Sequence, residues 1–293
     1  MEDVIGSVIK DLREKKGISI EELASDLCQP ERMLEIERGT GNITIKELHL
    51  IANKLSVEVT FLLNAGNTPQ FNYIEGIQTL IRKYIRQRNY EVVAEIVSNE
   101  IHQSKKISLD FCQFLKWHEG ICVWHLERDK EKAISLLESA LEITVTNGLI
   151  LREREVEILN SIGLIHLDAQ DKYAAILIFK KAIHHLENIP LLKGENIYIR
   201  LLHALAQTLT KIGNFEESLE QTERAIAICI SNESLYLLGE LHYSAGENLL
   251  ELGEKEKGMD YIQKSKFIFE MKKKKKFVHL VNLEVKRILS LTN

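Results

Sequence analysis

One spacing constrains this chain more than any other: a small residue, three positions, a bulky residue, two positions, and a second small residue. It occurs at Ala133/Leu137/Ala140, Ala175/Phe179/Ala182, Ser218/Thr222/Ala225 and Gly258/Ile262/Ser265, at intervals of 42, 43 and 40 residues. Residues four and seven positions on share one face of an α-helix, so each set lets a neighbouring helix approach closely while the bulky side chain fills the groove. Recurrence at a nearly constant period predicts stacked helical hairpins, in which each unit buries its apolar face against its neighbours.

Composition points the same way. Only three prolines and 15 glycines occur in 293 residues, and Leu, Ile, Glu and Lys are abundant, so the fold class is all-α. No apolar run approaches the ~18 residues that span a bilayer, and the first residues are acidic where a signal peptide is basic and then apolar. A cytoplasmic protein without a membrane partner is expected. Cys28, Cys112, Cys122 and Cys229 are widely spaced and lack a CxxC or a zinc-spaced His, which predicts buried or incidental thiols and no metal site. With 38 Lys and Arg against 43 Asp and Glu, there is no general attraction to nucleic acid, and any DNA contact has to come from a local surface.

The first 66 residues follow a different plan, of five short helices. Ile5, Val8, Ile9 and Leu12 repeat at helical spacing up to Gly17, which suits a C-cap. Ser19 and Glu22 form a capping box ahead of Leu23, Ala24 and Leu27. A third helix begins at Pro30 and ends before Gly39, with Met33 and Ile36 inward. Thr44 and Glu47 form another box ahead of Leu48, Ile51, Ala52 and Leu55, and a last helix covers about Val57 to Leu63.

The order and caps over residues 3–64 resemble the lambda-repressor-like helix-turn-helix, carried by Leu12-Arg13, Gly17-Ile18-Ser19, Glu22-Leu23-Ala24, Ile36-Glu37 with Gly39, and Ile51-Ala52 with Leu55. The resemblance implies that the third helix enters the major groove of double-stranded DNA, with Gln29, Pro30, Glu31 and Arg32 at its groove end. Arg32 is suited to guanine or phosphate, and Glu31 to a cytosine amine. Ile20 replaces a common phosphate-contacting glutamine, and Leu34 and Glu35 stand where Ser and a basic residue are common. Residues 1–66 hold 8 Lys and Arg and 12 Asp and Glu, a net of −4, so two half-sites on a palindromic site are expected to be needed.

Gly66-Asn67-Thr68-Pro69 breaks the periodicity. The expected division is 1–66, a linker at 67–71, and a repeat domain at 72–293. Its hairpins are expected near 72–103, 108–146, 150–188, 195–231 and 233–271, with a capping segment from Phe277 to Leu291. Gly163, Ala175, Phe179 and Ala182 match the tetratricopeptide motif best, although 40–43 residues exceed its usual ~34.

The combination resembles the PlcR-type quorum-sensing transcriptional regulators, a family of peptide-pheromone receptors. Residues carrying the likeness include Leu27-Cys28, Ile36-Glu37, Gly39, Tyr90 after a basic pair, Phe114-Leu115-Lys116-Trp117, Glu216-Glu217-Ser218-Leu219 with Ala225-Ile226, and Gly239, Leu241, Tyr243, Gly246 and Glu247. The likeness implies a right-handed superhelix of about five hairpins with a C-terminal cap. It also implies a homodimeric activator that binds a short signalling peptide on the concave face lined by the first helices. Asn160 takes the place of a peptide-contacting asparagine, whose amide pairs with both backbone groups of an extended ligand. Ala204 stands where a second asparagine is expected, with His203 and Gln207 nearby. Glu240 and Tyr243 lie on the equivalent face of the last repeat, and Phe277 is an apolar wall. Arg86 and Arg88 match basic positions near the peptide, suited to a carboxylate, while the stripe Arg82, Lys83, Arg86 and Arg88 reads equally as a solvated face.

The remaining features read blandly. His184-His185 and His118 with His125 lack a third metal ligand. Lys272 to Lys276 reads as a solvated, mobile turn, and Trp117 and Trp124 as hairpin core. No phosphate loop, nucleophile elbow or paired metal carboxylates appear, so neither an enzyme nor a cofactor is expected. Two rivals stand beside the peptide-responsive regulator: a repeat adaptor that docks through its N-terminal module, and a ligand-independent repressor.

Overall fold

A computed structural model of the chain describes residues 2–65, 69–103, 108–144, 151–189 and 195–290. The regular elements among them are helices, and they group into two compact units, Met1–Gln87 and Arg88–Asn293. The first unit contains α1 (Glu2–Lys15), α2 (Ile20–Ala24), α3 (Pro30–Glu37), α4 (Ile45–Lys54), α5 (Val59–Ala65) and α6 (Pro69–Gln87). It therefore runs past the boundary expected at residue 66. Of the expected linker, residues 67 and 68 lie outside the described residues, and Pro69, Gln70 and Phe71 open α6.

The apolar stripes close a single small core from Ile5, Ile9, Leu23, Ala24, Met33, Ile36, Leu48, Ile51, Ala52, Leu55 and Leu62. Gly17 takes a left-handed φ of +66° after α1, where its missing Cβ removes the steric penalty. The Thr44 box is complete: Glu47 N–H donates to Thr44 Oγ1 at 3.2 Å and Thr44 N–H to Glu47 Oε2 at 2.7 Å. At Ser19 the hydroxyl accepts from Glu22 N–H at 3.1 Å, which is the Ser19 half of the expected box.

The second unit contains α7 (Tyr90–Gln103), α8 (Leu109–Glu127), α9 (Lys130–Glu142), α10 (Glu153–Asp168), α11 (Lys172–Glu187), α12 (Glu195–Lys211), α13 (Phe215–Ser231), α14 (Leu238–Glu251), α15 (Lys255–Met271) and α16 (Lys275–Ser290). Consecutive pairs from α8 to α15 are four of the expected hairpins, α16 follows them at the place of the cap, and the hairpin expected near 72–103 is divided, α6 falling in the first unit and α7 in the second. Residues 146, 150 and Leu291, expected as element ends, lie outside the described residues.

All twelve residues of the small-bulky-small stripes are buried. Three of the four bulky residues enter the space left by a glycine on the first helix of their hairpin. A Cβ on Gly120 would sit 3.0 Å from Leu137, one on Gly163 2.4 Å from Phe179, and one on Gly246 2.6 Å from Ile262. In the third of these hairpins the glycine is replaced by Ala206, whose carbonyl accepts from Ser218 Oγ at 2.8 Å opposite the smaller Thr222.

The turns recur as well. Arg88, Arg128, Gln170, Gly213 and Gly253 all have positive φ. The next residue caps the second helix in four cases, through the side chains of Asn89, Asp129, Asp171 and Asn214. The first helices pack on one another in succession, α8 on α10, α10 on α12 and α12 on α14. Trp117 Nε1 donates to Ser161 Oγ at 2.9 Å and Trp124 Nε1 to Asp168 Oδ2 at 3.2 Å, so both indoles are core residues that also pin α8 to α10. No helix among the described residues is long and apolar enough to cross a membrane.

Candidate functional site

In the first unit, α3 starts at the exposed Gln29, whose side chain makes no capping bond, and Pro30 occupies the first turn. Glu31 is exposed and Arg32 half-buried. The Arg32 guanidinium is engaged by its own module: Nη2 donates to the Asn42 carbonyl, Nη1 lies 3.4 Å from Glu35 Oε2 and Nε 3.9 Å from Glu47 Oε1. Arg32 reaches a base only by exchanging these partners. Lys54 donates to the Glu22 and Ser25 carbonyls at the end of α2.

In the second unit the close-approach positions Gly163, Ala206 and Gly246 set a common register for α10, α12 and α14. Three residues earlier stand Asn160, His203 and Tyr243; six residues earlier stand Glu157, Arg200 and Glu240. These two rows lie on neighbouring first helices. Arg200 Nη2 donates to Glu157 Oε1 at 2.9 Å across α10 and α12. Lys274, from the turn before α16, donates to Glu240 Oε1 at 2.7 Å. The Lys274 ammonium also lies 4.9 Å from the centre of the Phe277 ring and 5.8 Å from that of Phe269, and the two rings stack at 5.0 Å.

Asn160 Oδ1, Arg200 Nε, His203 Nε2 and Glu240 Oε2 are buried without a hydrogen-bond partner. An unpaired buried polar atom costs about 1–3 kcal/mol, so a native chain leaves few of them. Among the described residues two others share this condition, His242 Nδ1 and Ser265 Oγ, and they belong to neither row. Four unserved atoms on two rows of three adjacent helices give the first-helix face a donor and acceptor pattern that only an added molecule or water completes. Burial lowers the His203 pKa, only partly opposed by the Glu240 charge. Burial also works against the Glu240 charge, but the Lys274 hydrogen bond and the backbone at the start of α14 hold its carboxyl below the usual range. At neutral pH the face therefore presents a neutral imidazole beside a carboxylate.

The RNPP family C-terminal domain matches residues 78–289, and a helix-turn-helix matches residues 9–62. This chain belongs to the RNPP family. No curated protein matches it in sequence. Its fold is similar to that of Bacillus thuringiensis PlcR in complex with the peptide PapR7 and DNA, at 24% identity and a TM-score of 0.80, with 95% of this chain and 99% of that one covered. It is also similar to the Streptococcus dysgalactiae SHP pheromone receptor Rgg2, at 15% identity and a TM-score of 0.67, covering 96% and 99%. A third is ComR from S. thermophilus in complex with DNA and its signalling peptide ComS, at 16% identity and a TM-score of 0.64, covering 96% and 98%.

In this RNPP chain the sequence-derived residues are distributed unevenly. Asn160, His203, Glu240 and Tyr243 fall on the two rows, and Phe277 stands beside the Lys274–Glu240 pair. Gln207, one turn beyond His203, is exposed. The register pairs Asn160 with His203, and not with Ala204, which is buried at 7% exposure. Arg86 is exposed on α6 of the first unit, and Arg88, also exposed, opens the second with a φ of +58°. Glu157 and Arg200 were missed, although the 43-residue interval separating them is the repeat's own period. The lysine run is not simply solvated: Lys272 donates to the Leu235 carbonyl at 2.7 Å and Lys274 holds Glu240. The histidines stay bland, with His118 buried and bonded to the Phe114 carbonyl and His125 stacked on Tyr90.

Proposed function

We propose that this chain is a peptide-responsive, DNA-binding transcriptional regulator that acts in the cytoplasm as a homodimer on a palindromic site, by binding and not by catalysis. The single observation that carries the peptide site is the clustering of unpaired buried polar atoms on α10, α12 and α14. Proteins of similar fold support the reading: PlcR is seen in complex with PapR7 and DNA, and ComR with DNA and ComS. Asn160, His203, Gln207, Glu240, Tyr243 and Phe277 are the proposed peptide contacts, joined by Arg86 and Arg88 for a carboxylate. Gln29, Pro30, Glu31 and Arg32 are the proposed DNA contacts. An extended chain advances ~3.3 Å per residue and packed helices lie ~10 Å apart, so a ligand crossing two or three helices needs about five to eight residues.

Occupancy changes DNA affinity only to the extent that the peptide binds one arrangement of the dimer more tightly than another. The experiment is a selection of duplexes from a random pool by the full chain, run with and without small peptides co-purified from its native cells and identified by mass spectrometry. Palindromic enrichment that weakens with salt and strengthens with peptide is expected. Enrichment indifferent to peptide supports a ligand-independent repressor, and no enrichment supports the adaptor.

A further inference from the structure

The unpaired atoms of the first-helix face are not neutral in character, and their chemistry selects among ligands. Asn160 is 8% exposed, and its unserved atom is an acceptor. Glu240 spends one carboxylate oxygen on Lys274, and its other oxygen is buried and unserved. A carboxylate accepts about four hydrogen bonds, so half of its capacity is idle in a place where water is scarce. On the two rows the charges pair, Glu157 with Arg200 and Glu240 with Lys274, while Lys272, bonded to the neutral Leu235 carbonyl, adds a more distant positive charge. His203, the third neighbour, is held neutral by burial. On these rows Arg200 Nε remains an unserved donor, suited to a neutral backbone carbonyl because Glu157 already offsets its charge, while Glu240 Oε2 is the unserved anionic acceptor.

Lys274 also has contacts independent of Glu240, its ammonium lying beside the stacked Phe269 and Phe277 rings at 5.8 and 4.9 Å from their centres. It can therefore share the carboxylate with a second cation without losing its own position. Phe277, 39% exposed, offers an apolar surface for the stem of a long basic side chain.

Resting on the reading of this face as a peptide site, we infer that the ligand carries a cationic group that pairs with Glu240, supplied either by a Lys or Arg side chain or by the peptide's own N-terminal ammonium. The charge-assisted bond makes Glu240 a specificity determinant that rejects ligands lacking a cation at that point.

The test passes a synthetic random heptapeptide library with free amino termini, and the same library N-acetylated, over the immobilised full chain, with retained sequences read by mass spectrometry. The expected result is either enrichment of Lys or Arg at one position by about tenfold or a comparable loss of retention on acetylation, a ratio matching one charge-assisted bond. The first outcome names the side chain as the source and the second the terminal ammonium. Glu240→Gln should abolish the preference. Lys274→Met, which leaves the carboxylate without its internal cation, should strengthen it, so the two variants move in opposite directions and a simple loss of folding cannot imitate the pair. Retained peptides that are indifferent to both lysine content and acetylation, or a preference that persists in Glu240→Gln, overturn the inference and leave the peptide reading standing. A wild-type chain that retains no peptide from either library overturns both.

Discussion

Arg13 and Glu37 face each other in two parallel hydrogen bonds, Nε to Oε1 at 2.6 Å and Nη2 to Oε2 at 2.9 Å, with the Glu37 side chain 3% exposed. The remaining guanidinium nitrogen Nη1 donates to the Ile18 carbonyl at 3.2 Å, so one side chain ties α1 to the end of α3 and to the turn before α2. Removing one partner leaves a buried charge unpaired, whereas replacing both with apolar groups does not. Arg13→Ala is expected to destabilise the helix-turn-helix unit by roughly 3–5 kcal/mol, and Arg13→Met with Glu37→Leu to recover most of it. Guanidinium unfolding of the full chain, followed by helical circular dichroism, measures both. Equal losses in the single and double variants would show that the pair is not what holds α1 to α3.

Gly163 has no room for a methyl group, because Phe179 stands 2.4 Å from where its Cβ would be. Gly163→Ala is therefore expected to cost about 1–3 kcal/mol through forced repacking. Gly163→Ala with Phe179→Leu should recover part of that, since the smaller side chain vacates the contact. Thermal melts of the three variants decide it, and a single variant as stable as the parent would mean that the two helices move apart freely.

Glu155 is 2% exposed and sits in a polar knot, accepting from Gln113 Nε2 at 3.1 Å, from Thr144 Oγ1, and from Arg152 N–H at 2.8 Å. Burial opposes its charge, yet these donors outweigh burial and lower its pKa. A carboxylate whose folded pKa lies below its unfolded one contributes stability that is present above the unfolded value and is lost as the pH falls through the folded value. Urea unfolding between about pH 6 and pH 3 should thus show a steeper loss in the parent than in Glu155→Gln. Parallel curves would mean that the carboxylate is not stabilised in the folded chain.

Asn160 is expected to trade stability against response. Replacing it with the similarly sized Leu removes an unserved buried acceptor, so Asn160→Leu should melt higher, by about 1 kcal/mol, while losing affinity for peptide. Calorimetry with the co-purified peptide and a thermal melt give the two readings. A variant that loses stability and keeps affinity would place the ligand elsewhere.

Much of this architecture was legible because it rests on local rules. The Thr44 box, Pro30 at the start of α3 and the four small-bulky-small stripes are each written in a few adjacent residues, and each appears where expected. The hairpin turns were equally local but went unread: a capping Asn or Asp follows the left-handed residue at 89, 129, 171 and 214, and non-glycine residues at 88, 128 and 170 hid the signal that Gly213 and Gly253 carry openly. What escaped altogether was pairing over distance. The Arg13–Glu37 contact, the engagement of Arg32 by Asn42, and the capture of Glu240 by Lys274 join residues 24, 10 and 34 positions apart. Neither composition nor periodicity says which of many acceptors a cation will choose.

The chain has two tryptophans, and both indole N–H groups are spent on the same junction, between α8 and α10. Its tryptophan emission, excited beyond the tyrosine band, is thus centred on one interface. Ser161, the acceptor for Trp117, is the chain neighbour of Asn160. A ligand held by Asn160 is therefore expected to change the emission of the unlabelled protein, an optical gauge of occupancy with no dye attached and no residue changed.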